Sequence, residues 1–325
     1  MLNKEEYQLI IDASVLYYLE GKTQSQIAKE LYLSRPKVSR LLKKARDLQI
    51  VNITINYQNG EFEKLQSEVR RSFNVPHVVI SKTLSNRENT LDEVCKAAAK
   101  ELSMALRDDM TLGISWGKHV RTTAKHMKPK SFSNMRIVEL FGAISYDIDV
   151  NDMLSIGRSL SSKLKGKLYP LPSPIYINDP IAREAIINTP VIKDTLSMIE
   201  NCDLIVTGIG SIQDGESKLD NTLQTLWDNY VESNIKEKIV QQGGTGFLLA
   251  HFFDKNGNFL DMDINRNVVG IKTQTIKEKK IIAIASGRKK AKAIYSVLKG
   301  GFIHTLVSDE ETLKDVMELY NEERK

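Results

Sequence analysis

The chain has 325 residues, of which 41% are hydrophobic and 27% charged, with a formal net charge of +5. These are globular values that predict two domains, one small and one large, and exclude low-complexity and fixed-period repeat architectures. The two cysteines, Cys95 and Cys202, stand far apart in no CxxC pattern, which argues against a disulfide framework or a zinc site. No apolar run approaches the ~18 to 20 residues that span a bilayer. The opening MLNKEEYQLI has no charged-then-apolar pattern, and the expectation is a cytoplasmic protein without a membrane partner.

Residues 4 to 20 carry Leu9, Ile10, Ala13, Leu16, Tyr17 and Leu19 at roughly helical spacing, ending before Gly21. Thr23 is placed to cap a second helix with Ile27, Ala28 and Leu31 on its apolar side, and Leu33 is read as buried in the turn that follows. Ser34 is placed to cap a third helix, with Pro36 in its first turn, where a missing N–H costs nothing. That helix has Val38, Leu41, Leu42 and Ala45 on one side. Its remaining surface holds Arg35, Lys37, Arg40, Lys43, Lys44 and Arg46, with no acid from Arg35 to Arg46.

Two helices, a short turn and a small residue at the crossing fit a helix-turn-helix whose last helix enters the major groove of double-stranded DNA by its N-terminal end. Ser34, Arg35, Lys37, Ser39 and Arg40 are then the candidates for base edges or phosphates, Arg having the fork that reads guanine. Thr23, Gln24 and Ser25 fall where the preceding helix meets the phosphate backbone, and Lys43 and Lys44 supply charge further along. A basic helix face is often solvated surface alone; here the spacing, both caps, Ala28 and the acid-free run agree on DNA. Tyr32 occupies the turn position that usually carries Gly in this motif. IVNITIN, residues 50 to 56, alternates Val51, Ile53 and Ile55 with polar residues as a half-buried strand does, and YQNGEF (57 to 62) reads as a linker. The predicted domains are therefore 1–56 and 57–325.

From residue 75 onward, apolar runs alternate with helical patterns. The runs are HVVISK, TLGISWG, RIVELFGA, DLIVTGIGS, GFLLAHFFD, NVVGI, KIIAIASG and FIHTLVSD. Among the helices are ENTLDEVCKAAAKELSMALRD, KKAKAIYSVLKG and ETLKDVMELYNEE. This is the pattern of a doubly wound, mostly parallel α/β domain, with ligands at the carboxyl ends of the strands. Three loops there are candidate anion sites: Ser115-Trp116-Gly117-Lys118-His119, Gly208-Ile209-Gly210-Ser211, and Ser286 through Lys290. Glycines let backbone N–H groups approach an anion, although a tight strand-ending turn explains Gly208 and Gly210 equally well. The cations of the third loop oppose the helix dipole unless an anion joins them, or else they point to water.

In family order, LSRPKVSRLLKKA, GISWGK, LPSP with INDP beyond it, TGIGS, HFFDKNG, ASGRKKAKAIYSVLKGG and TLVSDE resemble the landmarks of the SorC/DeoR-type bacterial transcriptional regulators. The likeness runs over almost the whole chain. It implies a sugar-binding effector domain related to sugar-phosphate isomerases, a small phosphorylated sugar as effector, and homodimers or homotetramers. It points to the 115–119 loop, Gly208, Gly210 and Lys290 around the effector. Lys118 and His119 stand where relatives often have a Thr pair, and Phe247 stands where the family usually has an acid.

The five histidines, His77, His119, His126, His251 and His304, have no metal-ligand spacing, and no cofactor is implied. Asp254 and Asp309 end strands, where each is a general base in an isomerase or, more commonly, a turn or helix cap. Trp116 stacks on a sugar ring or belongs to the core. No matched acid–base pair nominates a catalytic residue. The sequence thus favours a transcriptional regulator, with a repressor expected, of a carbohydrate or nucleoside catabolic operon. An isomerase-like enzyme with a DNA-binding head and a constitutive DNA-binding protein with a vestigial pocket are the alternatives.

Overall fold

The computed structural model describes residues 4–48, 50–51, 60, 62–143, 153–212 and 233–324. Contacts divide the chain into two units, Met1–Asn59 and Gly60–Lys325.

The first unit holds α1 (Lys4–Ser14), α2 (Gln24–Glu30) and α3 (Arg35–Asp47). Ile10, Ala13, Leu16, Ile27, Ala28, Val38, Leu41, Leu42 and Ala45 are buried together. α1 continues as a π-helical turn over Val15–Leu19, and this shift of register leaves Tyr17 at the surface and Leu19 81% exposed, so neither belongs to the core expected from a straight helix. Thr23 caps α2 in a reciprocal capping box with Gln26. Ser34 occupies the N-cap position of α3, but its side chain makes no capping bond. Leu33 is half-buried against the core rather than enclosed. Between α2 and α3, Leu33 N–H donates to Ala28 O at 2.8 Å and Tyr32 N–H to Lys29 O at 3.4 Å. This is a Schellman closure with Tyr32 in the left-handed position, φ 54°. Of the strand read at 50–56, Ile50 and Val51 pack at the edge of the core, and 52–56 lie outside the described residues. The linker at 57–62 is described only at Gly60 and Phe62.

The second unit is built on seven parallel strands in the order β1 (His77–Ser81), β10 (Thr305–Asp309), β9 (Ile281–Ile284), β5 (Leu204–Gly208), β2 (Thr111–Ile114), β3 (Arg136–Glu139), β4 (Lys167–Tyr169). All six pairings are parallel, so every strand ends at the same edge of the sheet. The central strands are buried along their length. That is why they read as unbroken apolar runs: helices cover both faces. The described helices of this unit are α4 (Glu63–Phe73), α5 (Arg87–Ala105), α6 (Lys118–His126), α7 (Met153–Leu164), α8 (Pro180–Ile187), α9 (Pro190–Glu200), α10 (Ser233–Gln241), α11 (Asp263–Arg266), α12 (Thr273–Glu278), α13 (Ala291–Gly300) and α14 (Glu310–Glu323). From β2 the chain winds through β3 to β4 on one side, whereas from β5 it reaches β9 and β10 on the other. The crevice between β2 and β5 is therefore the switch point of the sheet.

Three runs differ from the sequence reading, the first being DLIVTGIGS, which is divided between β5 in the parallel sheet and a short β6 (Gly210–Ser211) outside it. GFLLAHFFD is not one strand but a hairpin, β7 (Gly244–Leu248) and β8 (His251–Asp254), which joins β6 (Gly210–Ser211) in an antiparallel sheet. Its two-residue turn is Leu249-Ala250, both at positive φ (52° and 66°), a backbone normally given to Asn-Gly. NVVGI makes isolated bridges, Tyr176 with Val268 and Phe141 with Gly270, and no strand.

Tyr32 is 96% exposed, so its ring gains no burial that offsets its left-handed backbone. Tyr32→Gly should stabilise the first unit by about 1 kcal/mol, read as slower hydrogen exchange of α2 and α3 amides. Unchanged or faster exchange would show that the tyrosine stabilises the turn.

Candidate functional site

One pocket opens at the switch point. Ser115, Trp116, Gly117, Lys118 and His119 reach it from the end of β2, Thr207, Gly208, Ile209 and Gly210 from β5, and Lys290 from the loop after β9. Phe141, Phe247, Leu249 and Ala250 complete the wall. Eight of the nine candidate effector residues thus meet in one place. Ser211 does not: it lines a separate cleft with Arg288, Lys289 and Asp315. The chain passes from β5 into β6 at Ile209, and this change of sheet carries Ser211 away from the pocket.

The polar end is arranged for an anion. Gly117, φ 123°, turns the chain into α6, whose first N–H groups have no partner within the helix and no side-chain cap. Lys290 is buried, and its ammonium donates to Ile209 O at 2.8 Å, tying the β9 loop to the β5 loop. Ser115 Oγ donates to Thr207 Oγ1 at 3.0 Å, linking β2 to β5. His119 is buried and shares a 2.9 Å hydrogen bond with Ser286 Oγ. Burial, and then Lys290, Lys118 and Arg87, hold its pKa well below the ordinary 6.5, so the ring is neutral at physiological pH. Lys118 is half-exposed and lies 3.8 Å from the exposed Glu88, a weak pairing. Among the described residues lining the pocket there is no carboxylate, so the field of these residues favours negative charge.

The other end is aromatic. Trp116 meets Phe141 edge-on at 5.8 Å and lies tilted against Phe247 at 6.2 Å. The indole is nine-tenths buried, and its N–H has no hydrogen-bond partner among the described residues. Sequence reasoning missed Phe141, Leu249 and Ala250 here. Leu249 and Ala250 carry no turn signal, and Phe141 arrives through the bridge to Gly270.

The remaining candidates have structural work. Asp309 caps α14 and also accepts from Thr83 Oγ1 (2.8 Å) and Gly287 N–H (3.0 Å), while Asp254 accepts the Asn256 and Asn258 N–H groups of its turn. Arg288 forms a two-point ion pair with Asp315 at 2.7 and 2.8 Å. His77 pairs with Glu101, His126 with Asp92, and His251 with Ile271 O. Among the described residues no cluster of His, Cys, Asp or Glu is placed to hold a metal, and no helix is long and apolar enough to cross a membrane.

In the first unit, α3 buries Val38, Leu41, Leu42 and Ala45. Helical geometry puts Pro36, Arg40 and Lys43 opposite that stripe, with Arg35 and Ser39 on one flank and Lys37 and Lys44 on the other. Arg35, Lys37, Ser39, Arg40 and Lys43 are exposed, as are Thr23, Ser25 and Ser34, while Gln24 is half-buried. Lys44 differs from its neighbours in that it is paired with Glu6 of α1, so part of its charge is already neutralised within the unit. Arg40 Nε lies 3.4 Å from Pro36 O, which lays the side chain along the helix.

The chain thus joins a helical unit with a basic third helix to a parallel α/β body with a pocket at its switch point. Residues 58–318 match the family model described as "Putative sugar-binding domain". The chain belongs to that family, within the SorC/DeoR-type transcriptional regulators. It is 27% identical to the sorbitol operon regulator of Klebsiella pneumoniae over 96% of this chain and 98% of that one. The crystal structure of that full-length regulator superposes with a TM-score of 0.73 at 26% identity, covering 97% of this chain and all (100%) of the other. The deoxyribonucleoside regulator of Bacillus subtilis is 25% identical over 96% of this chain and 98% of its own length. The transcriptional regulator LsrR of Escherichia coli is 28% identical over 93% of this chain and 92% of its own. These relatives carry the names of regulators, not of enzymes.

Burial lowers the pKa of His251 to about 4, against backbone hydrogen bonds that raise it. The unfolded chain protonates this ring near pH 6.5 and the folded one only near 4, so stability falls as pH drops through that window. His251→Gln keeps a donor for Ile271 O. In urea titrations it should flatten the pH dependence of stability between pH 6 and 4 by about 1 kcal/mol per pH unit; an equal slope in both proteins would contradict the buried neutral ring.

Proposed function

We propose that this chain is a sequence-specific DNA-binding repressor of a carbohydrate or nucleoside catabolic operon, released from its operator by a small phosphorylated sugar. The observation that carries the reading is the convergence of loops from β2, β5 and β9 on one cationic pocket, with no carboxylate among its described lining residues. The phosphate meets the open N–H groups at the start of α6, with Lys290 and Lys118 supplying positive charge. The sugar lies toward the aromatic end, where the Trp116 N–H donates to one of its oxygens. A neutral His119 has one ring N–H to donate, so it contributes a hydrogen bond rather than a charge.

In the first unit, α3 enters the major groove. Arg40 and Lys43 face the DNA, Arg35, Lys37, Ser34 and Ser39 flank them, and Thr23, Gln24 and Ser25 approach the phosphates. The protein acts in the cytoplasm as a homodimer or homotetramer, so that two or more helical units engage matching half-sites and affinity multiplies through effective concentration. The effector binds two arrangements of the assembly with different free energies, and that difference is the signal. The isomerase alternative loses its two candidate bases, since Asp254 and Asp309 are engaged with backbone groups.

Arg40→Ala should weaken binding to an operator duplex by ~1 to 3 kcal/mol, roughly 5- to 150-fold, in a mobility-shift titration, leaving the body's thermal transition in place. Undiminished affinity would remove Arg40 from the interface. Lys290→Met retains the buried stem and deletes the charge. In thermal-shift measurements it should abolish stabilisation by sugar phosphates while DNA binding persists, and a full ligand response in this variant would place the effector elsewhere.

A further inference from the structure

We infer that Tyr32 is a further DNA contact, its hydroxyl donating to a phosphate at the rim of the groove that α3 enters. This rests on the docking of α3 proposed above and adds to it a residue from the turn between the two helices. The starting point is a cost without an internal return. Tyr32 holds φ 54°, where a Cβ is disfavoured. Its side chain is nonetheless 96% exposed and makes no hydrogen bond or ring contact among the described residues. Glycine would close the same turn without that cost. Backbone strain that no contact within a domain offsets marks positions where function, not folding, selects the residue.

The side chain is also aimed the right way. Leu33, the next residue, packs against the core of the unit, and Tyr32 before it projects outward. The exposed row of α3, centred on Pro36, Arg40 and Lys43, likewise points away from that core. Only Leu33 separates Tyr32 from Ser34, the N-cap residue of α3, and two residues of chain span at most ~7 Å. With the first turn of α3 in the groove, the chain that leads into it has to pass the rim, which is a row of phosphates. Tyr32 stands at that crossing.

The surroundings suit a phosphate. Lys29 and Arg35 lie on either side of Tyr32 in the chain and are exposed, while Glu30, the acid of this stretch, is already paired with Lys22 at 2.8 Å. The turn therefore presents positive charge. The tyrosine adds a donor on a rigid ring with only two rotatable bonds, so little entropy is lost when it is fixed. Phosphate contacts set register and orientation without reading sequence, so Tyr32 positions α3 and reads no base.

The test measures binding of the full chain at one salt concentration, as wild type, Tyr32→Phe, Tyr32→Gly and Arg40→Ala. Two duplexes are used: an operator recovered by selection from random sequence, and a random duplex of the same length. Tyr32→Phe keeps the ring and the turn and deletes only the hydroxyl. It should weaken binding to both duplexes by the same factor, roughly 3- to 10-fold, the worth of one solvent-facing hydrogen bond. Tyr32→Gly should weaken both at least as much while its α2 and α3 amides exchange more slowly, an opposition that a merely structural residue would not produce. Arg40→Ala should weaken the selected duplex more than the random one. Wild-type affinity in Tyr32→Phe overturns the inference, and so does a loss confined to the selected duplex. If Arg40→Ala is still weakened in that event, the docking of α3 stands without Tyr32. If no variant differs from the wild type on the operator, the docking falls and the tyrosine contact with it.

Discussion

Parallel pairing is the constraint from which the rest follows. With all seven strands running the same way, every loop that leaves a carboxyl end lies at one edge, and the opposite windings from β2 and β5 open a crevice there. Lys290 makes the arrangement specific. A buried ammonium is costly to desolvate, and this one is held by a carbonyl of the neighbouring loop. Together with the open start of α6 it gives the crevice a fixed preference for negative charge before any ligand arrives. Two further ties keep the three loops in register: Ser115 with Thr207, and His119 with Ser286.

What was legible in the sequence is what local chemistry determines. The central strands showed themselves as apolar runs because both faces are covered, and the long helices at 87–105, 291–300 and 310–323 showed themselves by period. Thr23 and Asp309 were readable because a cap needs a short polar side chain at a helix start. The Leu249-Ala250 turn was not readable. Its positive φ values fall on residues that rarely adopt them, so the sequence pattern reads as one strand where the structure has a hairpin. The change of sheet at Ile209 was hidden for a related reason: DLIVTGIGS is one apolar run, and nothing local marks where its hydrogen bonds pass from β9 to β7. That is why the sequence groups Ser211 with Gly208 and Gly210, whereas in the structure it lines the neighbouring cleft.

The helix-turn-helix was legible almost in full, because its geometry is short-range: caps, a small crossing residue and a closed turn. The exceptions are the π-helical turn that exposes Leu19 and the ion pair that draws Lys44 toward α1. Both depend on residues well separated from the recognition segment. Tyr32 is the one place where the local rule was visibly broken in the sequence and the structure accepted the break, keeping the left-handed turn with an exposed aromatic in it.

Division of labour between the two units is the physical content of the proposal: one presents cations to a duplex, the other presents cations to a small anion, and the ligand that fills the second alters the first. The most direct measurement is the affinity of the intact protein, at one fixed salt concentration, for an operator duplex recovered by selection from random sequence, with and without ribose phosphate or dihydroxyacetone phosphate. The account predicts that one of these weakens operator binding by roughly 5- to 150-fold, a coupling of ~1 to 3 kcal/mol, while leaving non-specific binding unaltered. An operator affinity that neither compound changes would contradict it.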